Sequence, residues 1–286
     1  LFRKLVKPDG IMAFLFRLLS RLPLPLLHNL GALFGWLHWL ASPVYRRHMR
    51  ENMALAGVGD ARWGAIAEAG KTIFELPKLW ARPHAEVVGR VARVTGWSHV
   101  EEAVASGRGI VFLTPHLGCF EITAQYIATA MPLTVLYRRS KHAWLVPLME
   151  AGRGAALKLA PADLSGVRRL MKALRQGEAV GMLPDQIPRN GEGVWAPFFG
   201  KPAYTMTLAA RMAENATPLL VFAERLHYGA GYHVRFQPLS QPLAGDLAAR
   251  SAQINHELEA LIRQWPEQYL WGYHRYKRPR GVPAPA

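Results

Sequence analysis

One stretch of the chain sets a base and an acid at a spacing that chemistry can use: His116-Leu-Gly-Cys-Phe-Glu121, directly behind the apolar run Gly109 to Thr114. On a continuous helix this offset turns the two side chains about 140° apart, so they cannot meet. With His116 on the loop that leaves a strand and Glu121 in the first turn of the next helix, the carboxylate can reach back to the imidazole. Gly118 permits the sharp bend between them. A carboxylate on one ring nitrogen fixes the tautomer and leaves the other as a general base for a hydroxyl. The sequence has no Gly-x-Ser-x-Gly elbow to supply a nucleophile. The nucleophile then belongs to the substrate, which describes direct acyl transfer to an alcohol with no covalent enzyme intermediate.

Cys119, the only cysteine, lies inside this stretch. It reads as a small core side chain rather than a thiol nucleophile, and it excludes an internal disulfide or a cysteine-based zinc site. No other His or Cys stands at ligand spacing, so no metal is expected. Leu183-Pro184-Asp185-Gln186 follows a second apolar run; Asp185 suits a contact with His116, an acceptor sugar or a basic side chain, or a turn cap. Arg138, Arg139 and Lys141 follow a third run, with Arg153 and Lys158 one helix later. An arginine there can stabilise the oxyanion of a reacting carbonyl or grip a phosphate bidentately. Pro197-Phe198-Phe199-Gly200 reads as an exposed aromatic turn, fit to border an apolar channel or to pack in the core. Ala69-Gly70-Lys71-Thr72 imitates a phosphate loop, but Gly64 is one residue out of place and no strand precedes it, so it reads as helix interior.

These residues need a frame. Short apolar runs at 109–114, 132–137, 179–183, 218–223 and 233–236 predict strands. Helical spacing appears between them, at Val167 to Leu174, Met206 to Met212 and Ile254 to Ile262, and ahead of them from Trp63 to Phe74. Alternation of this kind predicts an α/β fold: a mostly parallel central sheet flanked by helices. Residues 1–50 differ from the catalytic region expected at 51–286. Arg3, Lys4, Lys7, Arg17 and Arg21 precede an uncharged run from Leu22 to Tyr45, and Arg46, Arg47 and Arg50 close it. Pro23 and Pro25 confine a helix to about Leu26 to Ala41, roughly 24 Å against a hydrocarbon core of about 30 Å. Partial insertion, or a place among the headgroups of an anionic membrane, fits better than a span. The net charge of +15 on a chain that is 50% hydrophobic excludes a disordered polyelectrolyte and calls for an anionic partner.

Taken in order, His116-x4-Glu121, Tyr137-Arg138-Arg139, Arg153 with Gly154, Leu183-Pro184-Asp185-Gln186, Phe198-Phe199-Gly200 with Lys201-Pro202, and Trp271-x3-Arg275-Tyr276-Lys277 resemble the blocks of one family. It is that of the lipid A biosynthesis lauroyl and myristoyl acyltransferases of Gram-negative bacteria, within the lysophospholipid acyltransferase-like superfamily. The resemblance implies a protein at the cytoplasmic face of the bacterial inner membrane. It would transfer a fatty acyl chain from acyl carrier protein, as thioester co-substrate and with no other cofactor, to a hydroxyl of a lipid A precursor. His116 would be the base, Glu121 its orienting partner and Arg153 an aid at the reaction centre; Arg138, Arg139, Asp185, Gln186, Phe198 and Phe199 would bind substrate. Nucleic acid fits poorly, since the basic residues carry no recognition motif. Transfer to another glycolipid or a glycerophospholipid, or a non-catalytic role on a membrane surface, stays open.

Overall fold

The computed structural model describes residues 8–154 and 156–285, so Arg3, Lys4 and Lys7 lie outside the described residues. Seven strands form the central sheet: β1 (Val91–Thr95), β2 (Ile110–Leu113), β3 (Leu133–Tyr137), β4 (Lys158–Pro161), β5 (Ala179–Met182), β8 (Thr217–Arg225) and β9 (Tyr232–Pro238). Their order is β1-β9-β8-β2-β5-β3-β4. Every neighbouring pair is parallel except β8 with β9, as the apolar runs predict. All four residues of β2 are buried, because helices cover both faces of the sheet.

Alternation along β2 divides the core. Val111 and Leu113 face one layer, in which Met53, Ile66, Leu170, Met212 and Leu258 pack. These come from α3 (Pro43–Ala56), α4 (Arg62–Phe74), α10 (Leu164–Arg175), α11 (Leu208–Ala213) and α12 (Leu247–Gln264). Ile110 and Phe112 face the other layer, with Leu79, Val100, Ile122 and Met149. That layer holds α5 (Leu76–Ala81), α7 (Trp97–Ala105), α8 (Phe120–Ile127) and α9 (Val146–Gly154); α6 is His84–Val88.

Two further helices precede these, α1 (Pro8–Leu19) and α2 (Leu24–Ala41). Leu24 of α2 joins the second layer and Trp39 the first, so α2 bridges the two. It crosses α4 at close range through Gly31 and Gly35. A Cβ on Gly35 would stand 2.2 Å from the Ile66 carbonyl oxygen, and one on Gly70 would stand 1.9 Å from that of Gly31. Small residues one turn apart are what let helix backbones touch. The segment Ala69 to Thr72 is therefore helix interior as expected, and Gly70 serves the crossing. No helix among the described residues is long and apolar enough to cross a membrane. The outer surface is nonetheless apolar: Ile11, Phe14, Leu15 and Leu18 of α1, and Leu33, Leu37 and Leu40 of α2, are exposed.

A second, two-stranded sheet of β6 (Gly193–Phe198) and β7 (Lys201–Met206) corrects the aromatic-turn expectation. Phe199 and Gly200 form the hairpin turn with φ of 48° and 74°, the left-handed pair that matches strand twist. Pro197 and Gly200 are exposed, but the two aromatic side chains are not. Phe198 and Phe199 are core residues, with Phe199 5.7 Å from Trp271 between ring centroids. Strands β1 and β4 had no apolar signature because both are sheet edges, partly exposed.

Gly70→Ala is expected to lower unfolding stability by about 1–3 kcal/mol, because backbone atoms on the facing helix cannot yield as a side chain would. Urea titration checks this, and an unchanged midpoint would contradict the close crossing.

Candidate active site

The site follows from the register of β2 and β5. Leu113 pairs with Met182, and the Thr114 N–H still donates to the Met182 carbonyl at 3.0 Å. The two chains thus leave the carboxyl edge in step, and His116 emerges beside Asp185. Carboxyl edges of parallel strands are where α/β folds place ligands. The His116 backbone N–H donates to Asp185 Oδ2 at 2.9 Å, and its Nδ1 lies 2.7 Å from Oδ1. Burial alone would raise the Asp185 carboxyl; the His116 ring and backbone N–H, with Arg275 behind, outweigh it and hold the group below the usual aspartate value. An ionised Asp185 takes the Nδ1 proton as a hydrogen bond and leaves the Nε2 lone pair facing out. The side-chain amide nitrogen of Gln186 sits 3.0 Å from that Nε2.

Glu121 is not the partner of His116, which corrects the dyad expected from spacing. It does lie in the first turn of α8, but its carboxylate turns to α5 and α9. Oε2 accepts from Trp80 Nε1 at 2.5 Å and from Arg153 Nε at 2.9 Å, while Arg153 Nη2 donates to Oε1. A forked guanidinium satisfies both carboxylate oxygens, which a single imidazole cannot. Burial would lower the Arg153 pKa, but Glu121 reverses this and raises it. Gly152 makes the arrangement possible: a Cβ there would stand 2.5 Å from Trp80 Cα, so only glycine lets α9 lie on α5. The Arg153 guanidinium then stacks 5.4 Å from the Trp80 ring centroid. Nothing in the spacing of the sequence links Trp80 to Glu121; it was missed.

The loop between β2 and α8 is fastened on three sides. Gly118 N–H donates to Gln268 O at 3.0 Å, Cys119 N–H to Ala223 O at 2.8 Å, and Leu270 N–H to His116 O at 3.1 Å. Gly118 has φ of 58°, and a Cβ there would stand 2.0 Å from the Ala223 carbonyl oxygen. Beneath it, buried Arg225 donates to Gly118 O at 3.2 Å and to Glu75 at 2.7 and 3.0 Å. Tyr232 Oη donates to Glu75 at 3.0 Å, and His28 Nε2 of α2 lies 3.4 Å away. Cys119 is buried against this group; burial and the nearby Glu75 push its thiol pKa well up, which suits a core side chain.

Two cavities open on His116. The larger, about 250 Å³, lies under α2 and includes Phe34, Ile73, Gln186 and Tyr273 in its wall. The smaller, about 170 Å³, runs between the sheet and α8 past Phe112, Ile127, Val135 and Gly181, with Glu121 and Arg153 at its polar part. Asp185 and Gln186 line the first and Arg153 the second. Arg138 and Arg139 line neither. Both are exposed beyond β3, and Arg139 Nε is 3.8 Å from Glu150. Phe198 and Phe199 line neither, being core residues. Among the described residues no group of three or more His, Cys, Asp and Glu could hold a metal ion.

The buried cluster gives a pH signature. Burial alone would raise the Glu75 pKa, but Arg225 and His28 bring it down from 4.5 to about 2. Its stabilising contribution is complete above pH 4.5 and is lost as pH falls toward 2. Glu75→Gln is therefore expected to be less stable than wild type at neutral pH by on the order of 3 kcal/mol, with the gap closing across that window. Urea midpoints measured as a pH series check this; a gap independent of pH would contradict it.

A family model described as bacterial lipid A biosynthesis acyltransferase matches residues 8–278. The chain is 29% identical to the lipid A biosynthesis lauroyltransferase of Escherichia coli strain K12, over 75% of this chain and 71% of that protein. It is 26% identical to the lipid A biosynthesis palmitoleoyltransferase of the same strain, over 91% and 88%. A phosphatidylinositol mannoside acyltransferase of Mycobacterium tuberculosis is 24% identical over 63% of this chain and 57% of its own length. With a family match across nearly its whole length, the chain belongs to the bacterial lipid A biosynthesis acyltransferase family and is an acyltransferase.

Proposed function

We propose that this acyltransferase moves a fatty acyl chain from acyl carrier protein to a hydroxyl of a lipid A precursor, in lipopolysaccharide biosynthesis. The observation that carries the reading is His116: Nδ1 fixed by a buried carboxylate, Nε2 at the meeting point of two largely apolar cavities. The acceptor oxygen attacks the thioester carbonyl while His116 Nε2 takes the hydroxyl proton. The tetrahedral intermediate collapses, the carbon–sulfur bond breaks, and the imidazolium returns the proton to the departing thiolate. No enzyme group is acylated, and the thioester itself supplies the activation, so no cofactor enters.

Asp185 rather than Glu121 orients the base in this scheme. Glu121 and Trp80 hold Arg153, whose Nη1 has no hydrogen-bond partner among the described residues. It can therefore donate to the oxygen of the reacting carbonyl. The donor chain occupies the smaller cavity, where Gly181 leaves space; a Cβ at that position would already stand 3.2 Å from Val135 Cγ1. The surface supports a place at a membrane. The exposed apolar residues of α1 and α2, with Arg17, Arg21, Arg46, Arg47 and Arg50 around them, suit an anionic inner-membrane surface approached from the cytoplasmic side. Exposed basic residues elsewhere, Arg138 and Arg139 among them, suit an acidic carrier. The mycobacterial relative keeps a second reading in view, transfer to a different glycolipid.

His116→Ala and Asp185→Asn are each expected to lower transfer by roughly 10³-fold or more, the second by leaving the ring in the wrong tautomer. Arg153→Ala should lower kcat rather than raise the acceptor KM alone. The assay is transfer of labelled acyl chain from acyl carrier protein to a lipid A precursor, with folding followed by circular dichroism; near-wild-type transfer by His116→Ala would sink the reading. Gly181→Leu is expected to shift donor preference to shorter chains. Mass spectrometry of lipid A from cells with and without the protein reports acceptor and chain length together.

A further inference from the structure

We infer that the larger cavity under α2 is the seat of the acceptor's hydroxyl-bearing acyl chain, and that Gln186 holds the hydroxyl's place on His116 Nε2 until that chain arrives. The inference rests on the acyl-transfer reading above.

The first step is direction. Asp185 occupies Nδ1 and the backbone N–H of His116, so Nε2 is the one ring atom left to accept a proton. Its neighbour at 3.0 Å is the Gln186 amide nitrogen, an N–H donor pointing at a lone pair. An attacking hydroxyl must donate to that same lone pair at a similar distance. Amide and hydroxyl cannot both do so in line. Gln186 lines the larger cavity and not the smaller, so the hydroxyl arrives through the larger.

The two cavities then sort by chemistry. His116 is the one residue common to their walls. Arg153, the cation available to a carbonyl oxygen, belongs to the smaller. The larger has no guanidinium or ammonium in its wall; Phe34, Ala69, Ile73 and Leu270 make up much of it. Such a wall suits a hydrocarbon chain, with a short polar end directed at His116. Its roof is α2, whose outer side carries exposed Leu33, Leu37 and Leu40, so a lipid reaching the cavity passes from one apolar surface to another. The backbone behind Gln186 is held, since Ile187 N–H donates to Tyr273 Oη at 3.1 Å. Displacement therefore needs a side-chain rotation alone.

Ala69→Phe fills this cavity from α4, and Ile73→Trp crowds it more gently should the first variant fold poorly. Each is expected to raise the KM for a lipid A precursor by about tenfold or more, the loss of roughly one buried side chain's worth of contact. The KM for acyl carrier thioester should stay within about twofold, which also reports an intact fold. Gln186→Ala removes the competing donor and is expected to lower the acceptor KM about fivefold, while hydrolysis of the thioester by water rises. The assignment is overturned if the cavity-filling variants move the donor KM instead, if they move neither constant, or if Gln186→Ala raises the acceptor KM. A wild-type protein that transfers nothing to a lipid A precursor, yet transfers to another alcohol, would refute the acceptor identity and leave the cavity test to be read on that alcohol, where the same reversals overturn the assignment.

Discussion

The bond between Asp185 and His116 is the constraint on which the remaining geometry depends. One buried carboxylate takes both the main-chain N–H and the ring of His116, so backbone position and tautomer are fixed by the same group. A carboxylate buried this deeply without partners would cost several kcal/mol and would protonate instead. Asp185 stays ionised because His116 supplies two donors, and His116 stays in place because Asp185 stays ionised. The register that brings Leu113 beside Met182 makes this possible, since each partner stands three residues beyond a paired position in adjacent parallel strands.

Supporting that pair are two charged groups that do not touch the base. Glu121, Arg153 and Trp80 form one, on the side of the smaller cavity; Arg225, Glu75 and Glu68 form the other, beneath Gly118. Removing one partner from a buried pair typically costs about 3–5 kcal/mol, so each cluster keeps its members only as a set. The second joins distant parts of the chain. Glu68 and His28 come from helices at the N-terminal end, Arg225 from β8, and their common product is a fixed carbonyl at Gly118. The N-terminal helices therefore help to shape the site as well as presenting an apolar surface.

Much of this was legible in the residues. Buried central strands read as apolar runs because both their faces are covered, and β2, β3, β5, β8 and β9 lie where those runs fall. The edge strands β1 and β4 were silent, being partly exposed and mixed in character. His116 was legible as a residue at a strand's end, and Asp185 as one of several contacts open to it, but not as the carboxylate that takes the place expected of Glu121. Spacing sees only neighbours in sequence, and Asp185 lies 69 residues away, in the turn after a strand whose place beside β2 depends on the sheet's order. Glu121 was found by position and misread in role, because Arg153 and Trp80 also converge on it through folding. For Phe198 and Phe199 the residues left channel lining and core packing open, and folding takes the second. Gly and Pro around them signal a turn, and the turn is real, but α12 and Trp271 cover it.

The placement of α2 connects these observations to the surface chemistry. Its inner side is bare only at the crossing, where Gly31 and Gly35 touch α4 at backbone range, and buries Leu24, Leu27, His28 and Trp39 on either side of it. Its outer side is rich in leucine that no described residue covers. At that crossing the helix is a thin partition, and His116 lies across a single cavity from it. Apolar side chains thus stand on both sides of this helix, Leu33, Leu37 and Leu40 outward and Phe34 in the cavity wall, so little polar surface separates the exterior from the cavity at that point. The net charge of +15 is a separate, longer-range property: it favours an anionic partner of any kind, whereas the apolar side chains of α2 favour hydrocarbon.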